Sequence, residues 1–235
     1  EDGNLYAAGH NQYGQLGNGK SGTSTKSTIF KWVLSGVKAA TGFQHTVALM
    51  KDGSVMASGY NAYGGLGDGS LTSSKTFVEV IDKGVVHISA GYYHTVAMKQ
   101  DGSVWVTGYN AYGQLGDGTT TNRVGYTKVI DTGAKDVCTG NYFTMVLKQD
   151  GSLWAAGYNN YGQLGDGTTT NRKSFVKVID SGVKEMSTGS SHSVSLNDKN
   201  ELCVTGYNGY GQLGTGNTAN VVGFNKKCYP RPGKP

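Results

Sequence analysis

Short apolar-rich runs follow one another along the chain, separated by clusters of glycine, asparagine and aspartate. His94-Thr95-Val96-Ala97-Met98 is such a run, and its short length between turn signals predicts a strand. Asp101-Gly102 then supplies a turn that tolerates positive φ, and Ser103-Val104-Trp105-Val106-Thr107 reads as the return strand of a hairpin. Beyond a glycine-rich loop, Tyr126 to Ile130 reads as a third strand, and a shorter fourth is expected at Lys135 to Thr139. The turn signals lie too close together to leave room for a helix.

The same pattern returns. Gly59-Tyr60-Asn61-Ala62-Tyr63-Gly64-Gly65-Leu66-Gly67-Asp68-Gly69 recurs from Gly108, Gly157 and Gly206, with a divergent copy from Gly9; the leading glycines are 50, 49, 49 and 49 residues apart. A second block, Gly42-Phe43-Gln44-His45-Thr46-Val47-Ala48-Leu49, recurs from Gly91, Gly140 and Gly189. The third strand is matched by spacing at Ile29 to Val33, Phe77 to Ile81, Phe175 to Ile179 and Phe224 to Cys228. A fixed period of this size signals a repeat architecture. Four antiparallel strands in such a unit make a propeller blade, with a solenoid as the weaker alternative. The expectation is an all-β propeller over residues 1–228, in about five units near 9–58, 59–107, 108–156, 157–205 and 206–228, with a linker or tail at 229–235.

The blocks Gly-Tyr-Asn-x-Tyr-Gly-Gln-Leu-Gly-Asp-Gly-Thr and Gly-x-x-His-Thr-Val-Ala-Leu resemble the regulator of chromosome condensation repeat family, over essentially Asp2 to Cys228. The resemblance implies a β-propeller, seven-bladed in the best-known members. It also implies activities as different as nucleotide exchange on a small GTPase, chromatin binding and, in a bacterial relative, inhibition of β-lactamase. Seven units at this period need far more chain than 235 residues, so the ring is expected to be partial or incomplete, or to have five blades with one unfinished. Fold does not choose among these functions; sites must.

Composition narrows the choice. The chain holds 38 glycines, 15 tyrosines and only 16% charged residues, and its net charge of +5 is scattered without a basic cluster, so nucleic acid is not the expected partner. No apolar window reaches the length of a membrane span, and the Glu1-Asp2-Gly3 opening reads as already trimmed. An extracellular or cell-surface setting is expected, with the cytoplasm as the alternative. Gly14 to Ser21 satisfies the phosphate-loop pattern letter for letter, yet Gly22-Thr23-Ser24-Thr25 does not open the helix such a loop needs. His45, His94 and His192 share one position in successive units, and Phe143 fills it in the remaining copy. Phenylalanine neither ligates a metal nor moves a proton, so this position is expected to be structural. Asp68, Asp117 and Asp166 become Asn18 and Thr215 elsewhere, which suits turns better than a calcium loop. No catalytic elbow or paired-ligand motif occurs, so the expectation is a protein without catalytic residues, metal or cofactor.

Two features remain. Cys203 stands where other units have Met56, Trp105 and Trp154, and Cys228 matches Ile81, Ile130 and Ile179 by spacing. If the two positions touch, they form a disulfide stapling the last unit; two buried thiols are the alternative, and Cys138 is expected to be a lone buried thiol. The pairs inside Gly-x-x-His vary on a constant frame: Phe43-Gln44, Tyr92-Tyr93, Asn141-Tyr142 and Ser190-Ser191. Variation on a fixed scaffold marks recognition positions, and Phe43, Tyr92, Tyr93 and Tyr142 are expected to form an aromatic arc on one face. The resemblance to the β-lactamase inhibitor implies that the corresponding variable loop residues are a contact set. A packing role between blades is the alternative reading of these rings. The constant tyrosines, Tyr60, Tyr63 and their counterparts, are expected to pack between blades. Another protein is the expected partner, with a glycan left open.

Overall fold

The computed structural model describes residues 3–35 and 37–230. The described residues form strands, turns and two short 3-10 turns, with no α-helix. β1 (Leu5–Gly9) and β2 (Ser27–Leu34) make a two-stranded sheet; β3 (Val37–Thr41), β4 (His45–Met50), β5 (Val55–Gly59) and β6 (Ser74–Ile81) make the first four-stranded one. The next comprises β7 (Val85–Ala90), β8 (His94–Lys99), β9 (Val104–Gly108) and β10 (Arg123–Ile130); then come β11 (Ala134–Thr139), β12 (Phe143–Lys148), β13 (Leu153–Gly157) and β14 (Arg172–Ile179). The last holds β15 (Val183–Thr188), β16 (His192–Asn197), β17 (Glu201–Gly206) and β18 (Cys228–Pro230). Within every sheet strands pair antiparallel in chain order. The glycine loop falls between the third and fourth strands, so a repeat counted from that loop straddles two sheets.

Two compact units divide the chain: Glu1–Tyr109 with Thr121–Thr132, and Asn110–Thr120 with Gly133–Pro235. The core of the first gathers Val47, Leu49, Val55, Val85, Ile88 and Ala97, with Tyr126 against them. That of the second gathers Phe143, Met145, Leu147, Leu153, Leu164 and Phe224. Full burial of each large side chain contributes roughly 1.5–3 kcal/mol.

A buried asparagine organises each glycine loop. Asn11, Asn61, Asn110, Asn159 and Asn208 are all fully buried. Each Oδ1 accepts the amide of the leucine five residues on: Leu16, Leu66, Leu115, Leu164 and Leu213 at 2.9–3.0 Å. Each Nδ2 donates back across the loop, that of Asn159 to Asp166 Oδ1 at 3.1 Å and to the Thr168 and Thr170 carbonyls at 3.1 Å. Asp166 Oδ1 in turn accepts the amide and hydroxyl of Thr168. The same position is filled by Asn18 Oδ1 and Thr215 Oγ1 beside Asn11 and Asn208, so any short acceptor serves and the aspartates are turn residues.

The loop so shaped leans on the following sheet. Aromatic rings cover its last leucine-flanking glycine: Phe77 over Gly17, Tyr126 over Gly67, Phe175 over Gly116 and Phe224 over Gly165, each so close that a Cβ would collide with the ring. A hydroxyl near the start of the second strand clasps the loop carbonyl, Thr95 to Gly65 O at 2.7 Å, Thr144 to Gln114 O at 2.8 Å and Ser193 to Gln163 O at 2.7 Å. These contacts place Asn110–Thr120 in the second unit, although β9, which feeds it, belongs to the first.

Register corrects two equivalences drawn from spacing. Tyr6 pairs with Trp32 and Leu5 with Leu34, as Met56 pairs with Glu79 and Val55 with Ile81; Phe30, not Ile29, therefore matches Phe77, because the first glycine loop is longer. In the last sheet Cys203 pairs with Cys228, where Trp154 pairs with Lys177. Cys228 thus occupies the lysine position and not the isoleucine one, since a 3-10 turn at Phe224–Lys226 delays β18. The two cysteines are disulfide-bonded, and Cys138 is a free thiol, its pKa pushed up to about 12 by burial. Tyr229 and Pro230 lie in β18 and not in a tail; residues 231–235 of the expected tail fall outside the described residues.

Asn159→Ala is expected to cost about 3 kcal/mol, because the Leu164 amide and the carbonyls that Nδ2 serves lose their buried partner; thermal unfolding would measure it. Reducing the disulfide, which closes a separation of 25 residues, is expected to cost about 3 kcal/mol. A lower melting temperature in reductant for the wild type, and none for Cys203→Ser/Cys228→Ser, is the expected outcome.

Candidate interaction surface

The variable pairs have a structural reason to vary. The residue before each histidine or phenylalanine uses its backbone carbonyl, not its side chain, to hold the next loop: Gln44 O accepts Tyr60 N at 2.8 Å, Tyr93 O Tyr109 N at 3.0 Å, Tyr142 O Tyr158 N at 2.8 Å and Ser191 O Tyr207 N at 2.9 Å. The backbone bond is indifferent to side-chain identity. The side chains are left for other work.

In the first unit, Phe43 and Tyr92, from adjacent sheets, stack with centroids 4.0 Å apart and planes 14° from parallel. Tyr93 meets Tyr92 edge-on at 4.6 Å and reaches Tyr63 at 5.1 Å and Tyr60 at 5.4 Å; Tyr60 continues to Tyr13 at 4.7 Å. Phe43 keeps 54% of its surface exposed. Packing between sheets and display to solvent, posed as alternatives by the sequence, therefore coexist. Gln44 is half-buried beside this cluster. The rings' offset and edge geometries contribute about 0.5–1.5 kcal/mol per pair beyond burial.

The second unit repeats the motif with fewer rings. Tyr142 meets Tyr112 at 5.3 Å, Tyr112 meets Tyr158 at 5.0 Å, and Tyr161 meets Tyr207 at 4.9 Å. Asn141 Nδ2 donates to Ser190 Oγ at 2.6 Å, and the Asn141 amide to the Ser190 carbonyl at 3.1 Å. Ser190 is exposed and Ser191 half-buried. The four-residue arc is thus found as two groups: Phe43, Tyr92 and Tyr93 in one unit, Tyr142 with constant tyrosines in the other.

The constant tyrosines do not form a separate buried set. Tyr60, Tyr63, Tyr112, Tyr158 and Tyr207 are half-buried, and Tyr60, Tyr63 and Tyr112 share ring contacts with the variable Tyr93 and Tyr142, while Tyr210 is 88% exposed. Burial, then the neighbouring tyrosines, raises the pKa of Tyr60 and Tyr93, so both phenols stay neutral hydrogen-bonding groups. Their participation was legible only as spacing; nothing in the residue types separates a packed tyrosine from a displayed one.

The histidine position is structural, in a way the sequence did not specify. His45 and His94 are buried and Phe143 fully so, while His192 is half-buried. His45 Nε2 lies 3.0 Å from Thr95 Oγ1. Thr95 gives its single proton to Gly65 O, so the imidazole donates from Nε2, and burial favours its neutral form. Its partner belongs to the neighbouring sheet. The ring covers Gly42, as Phe143 covers Gly140 and His192 covers Gly189. Burial lowers the His45 pKa from 6.5 to about 4.

The phosphate-loop match is a glycine loop like the others. Its amides are spent internally: Gly14 N on Asn11 O, Gly17 N on Gly14 O and Gly19 N on Lys75 O. Only a three-residue 3-10 turn, Thr23–Thr25, follows. Among the described residues no group of three or more His, Cys, Asp or Glu is placed to hold a metal ion, and no helix is long and apolar enough to cross a membrane.

Antiparallel four-stranded sheets recurring at a fixed period, each clasping the loop of its predecessor and carrying variable residues on a constant frame, define a blade-repeat β-propeller scaffold. The chain belongs to the RCC1-like domain family, whose model matches residues 1–233. It is similar in structure to human WBSCR16, with a TM-score of 0.85 and 22% identity over 100% of this chain and 64% of that one. It is also similar to yeast RCC1 (Prp20), solved bound to Kap60, with a TM-score of 0.54 and 16% identity over 87% of this chain and 64% of that one. Prp20p of Saccharomyces cerevisiae, in a second structure, gives 0.53 at 16% identity, over 88% and 67%. The chain therefore spans about two thirds of the length of these relatives. No curated protein matches it in sequence.

The depressed His45 pKa sets a pH window. The unfolded histidine takes up a proton near 6.5 and the folded one only near 4. Stability is therefore full above about pH 6.5 and declines as pH falls toward 4, by about 3 kcal/mol in all. His45→Phe, which copies Phe143, is expected to flatten that part of the profile; denaturant titrations at several pH values would show it.

Proposed function

We propose that the chain is a non-catalytic, protein-binding scaffold of the adhesion, assembly or inhibitor type. Its contact surface is carried by Phe43, Gln44, Tyr92 and Tyr93 in the first unit and by Asn141, Tyr142, Ser190 and Ser191 in the second. The observation that carries this reading is the division of labour at each pair. Backbone carbonyls bind the next loop, while the side chains vary and Phe43 stands more than half exposed. Aromatic residues held rigid by neighbours present large contact areas at small entropic cost, which is why they dominate protein interfaces.

The Cys203–Cys228 bond supports an oxidising setting, extracellular or at a cell surface, since such bonds persist there and are reduced in the cytosol. A second reading follows from the likeness to Prp20p, whose binding to Gsp1p and histones has been characterised: nucleotide exchange or chromatin association. That likeness speaks for the fold, and the scattered charge of this chain offers no concentrated site for phosphates.

Capture by immobilised wild type and by the Phe43→Ala/Tyr92→Ala/Tyr93→Ala variant would test the surface. At least a tenfold loss of a specific protein partner is expected, measured at a temperature where circular dichroism shows the variant, destabilised by its lost ring contacts, still folded. Unaltered capture of every partner would refute the surface, exchange activity on a small GTPase would favour the second reading, and retention on a glycan array would point to a sugar.

A further inference from the structure

A group of residues that fills the space between sheets elsewhere in the chain is exchanged in the last sheet. In the sheet β7–β10, Ala97 stands opposite Trp105 in the ladder and packs with Val47, Leu49 and Val55 of the preceding sheet. The two side chains share a face, so the indole is turned toward that preceding sheet. Its Nε1 donates to Ser103 Oγ at 2.9 Å, and Lys99 Nζ stands 4.9 Å from the ring centroid. Trp154 is held in the same way, with Nε1 on Ser152 Oγ at 2.9 Å and Lys148 Nζ at 4.6 Å.

In the sheet β15–β18 none of this set is kept. By register Cys203 takes the place of the tryptophan, Glu201 that of Ser103 and Asn197 that of Lys99, while Ser195 replaces Ala97. Between this sheet and β11–β14 lies a cavity of about 520 Å³. Val183, Cys203 and Phe224 line it, and they belong to the core shared with Phe143, Leu147 and Leu153 of the preceding sheet. The cavity is therefore bounded by neighbouring sheets on both sides. Its volume falls within the range of small-molecule sites.

Ser195 also lines this cavity. It is 1% exposed, and its Oγ has no hydrogen-bond partner among the described residues. A buried hydroxyl left unpaired costs about 1–3 kcal/mol, and Ala97 in the equivalent place is proof that the fold does not require one. Asp166, which borders the cavity, is already held by Arg172 at 2.7 Å.

We propose that this cavity binds a small, uncharged aromatic heterocycle of about indole size, its ring lying against Val183 and Phe224 and its N–H donating to Ser195 Oγ. The ligand supplies from solution what Trp105 supplies from the chain: a flat apolar ring that fills the space between two sheets, with one N–H that needs an acceptor. An apolar lining with a neutral hydroxyl selects against a charged ring, which would lose its hydration without a counter-charge. The site is separate from the tyrosine-bearing surface proposed above.

Isothermal titration with indole tests it. The wild type should bind indole with a Kd of roughly 0.1–1 mM, ordinary for a ligand of this size. 1-Methylindole, which has no N–H to give, should bind about three- to tenfold more weakly. Ser195→Ala should weaken indole by the same factor and leave 1-methylindole unchanged, without lowering the melting temperature, since it removes an unpaired hydroxyl. Cys203→Trp/Cys228→Lys, which restores the cross-strand pair of Trp105 with Lys128 and Trp154 with Lys177, should abolish binding. Cys203→Ser/Cys228→Ser, which lacks the disulfide but leaves the space open, should retain it at a temperature where circular dichroism shows both variants folded. No saturable binding by the wild type, equal affinity for indole and 1-methylindole, an unaffected Ser195→Ala variant, or binding that survives the introduced tryptophan would each overturn the proposal.

Discussion

One amide side chain, buried without exception in five loops, is the constraint on which the rest depends. Asn11, Asn61, Asn110, Asn159 and Asn208 satisfy a loop amide and several loop carbonyls that neither helix nor sheet could reach. A loop of this length otherwise exposes or strands its backbone polar groups, at about 1–3 kcal/mol for each one buried unpaired. With the asparagine in place the loop becomes a rigid block, its glycines turned where side chains would collide. The next sheet can then close on it with an aromatic ring and a hydroxyl clasp. Stacking is therefore a property of loops as much as of sheets.

The chain varies what surrounds this block and not the block itself. Trp154, flanked by Lys148 and Lys177 in cation-π contact at 4.6 and 5.8 Å, stands opposite Lys177 in the ladder. In the last sheet the same two places hold Cys203 and Cys228, a covalent link where the fourth strand is reduced to three residues. The exchange fits the loss of strand length: fewer ladder bonds, one stronger tie.

Period and strand pattern made the sheets legible in the sequence, because short apolar runs and the turn residues that bound them are local signals. The hairpin at Asp101-Gly102 is a case in point: Asp101 Oδ1 binds the Ser103 amide and hydroxyl, and Gly102 has φ of 77°. Phe30 and Cys228 were misplaced by spacing because loop length and a 3-10 turn shift register without disturbing the period. The variable pairs were legible as variable, but not why: the backbone bonds from Gln44, Tyr93, Tyr142 and Ser191 involve no side chain and leave no trace in composition. The mixed role of the constant tyrosines was hidden for the opposite reason, since identical residues can pack and be displayed at once.

Those four carbonyls have an evolutionary corollary. A position whose fold-keeping duty rests on an atom every amino acid possesses is shielded from the usual conflict between staying folded and acquiring new chemistry. Lineages could exchange one set of targets for another by drifting at a few codons, with the architecture untouched.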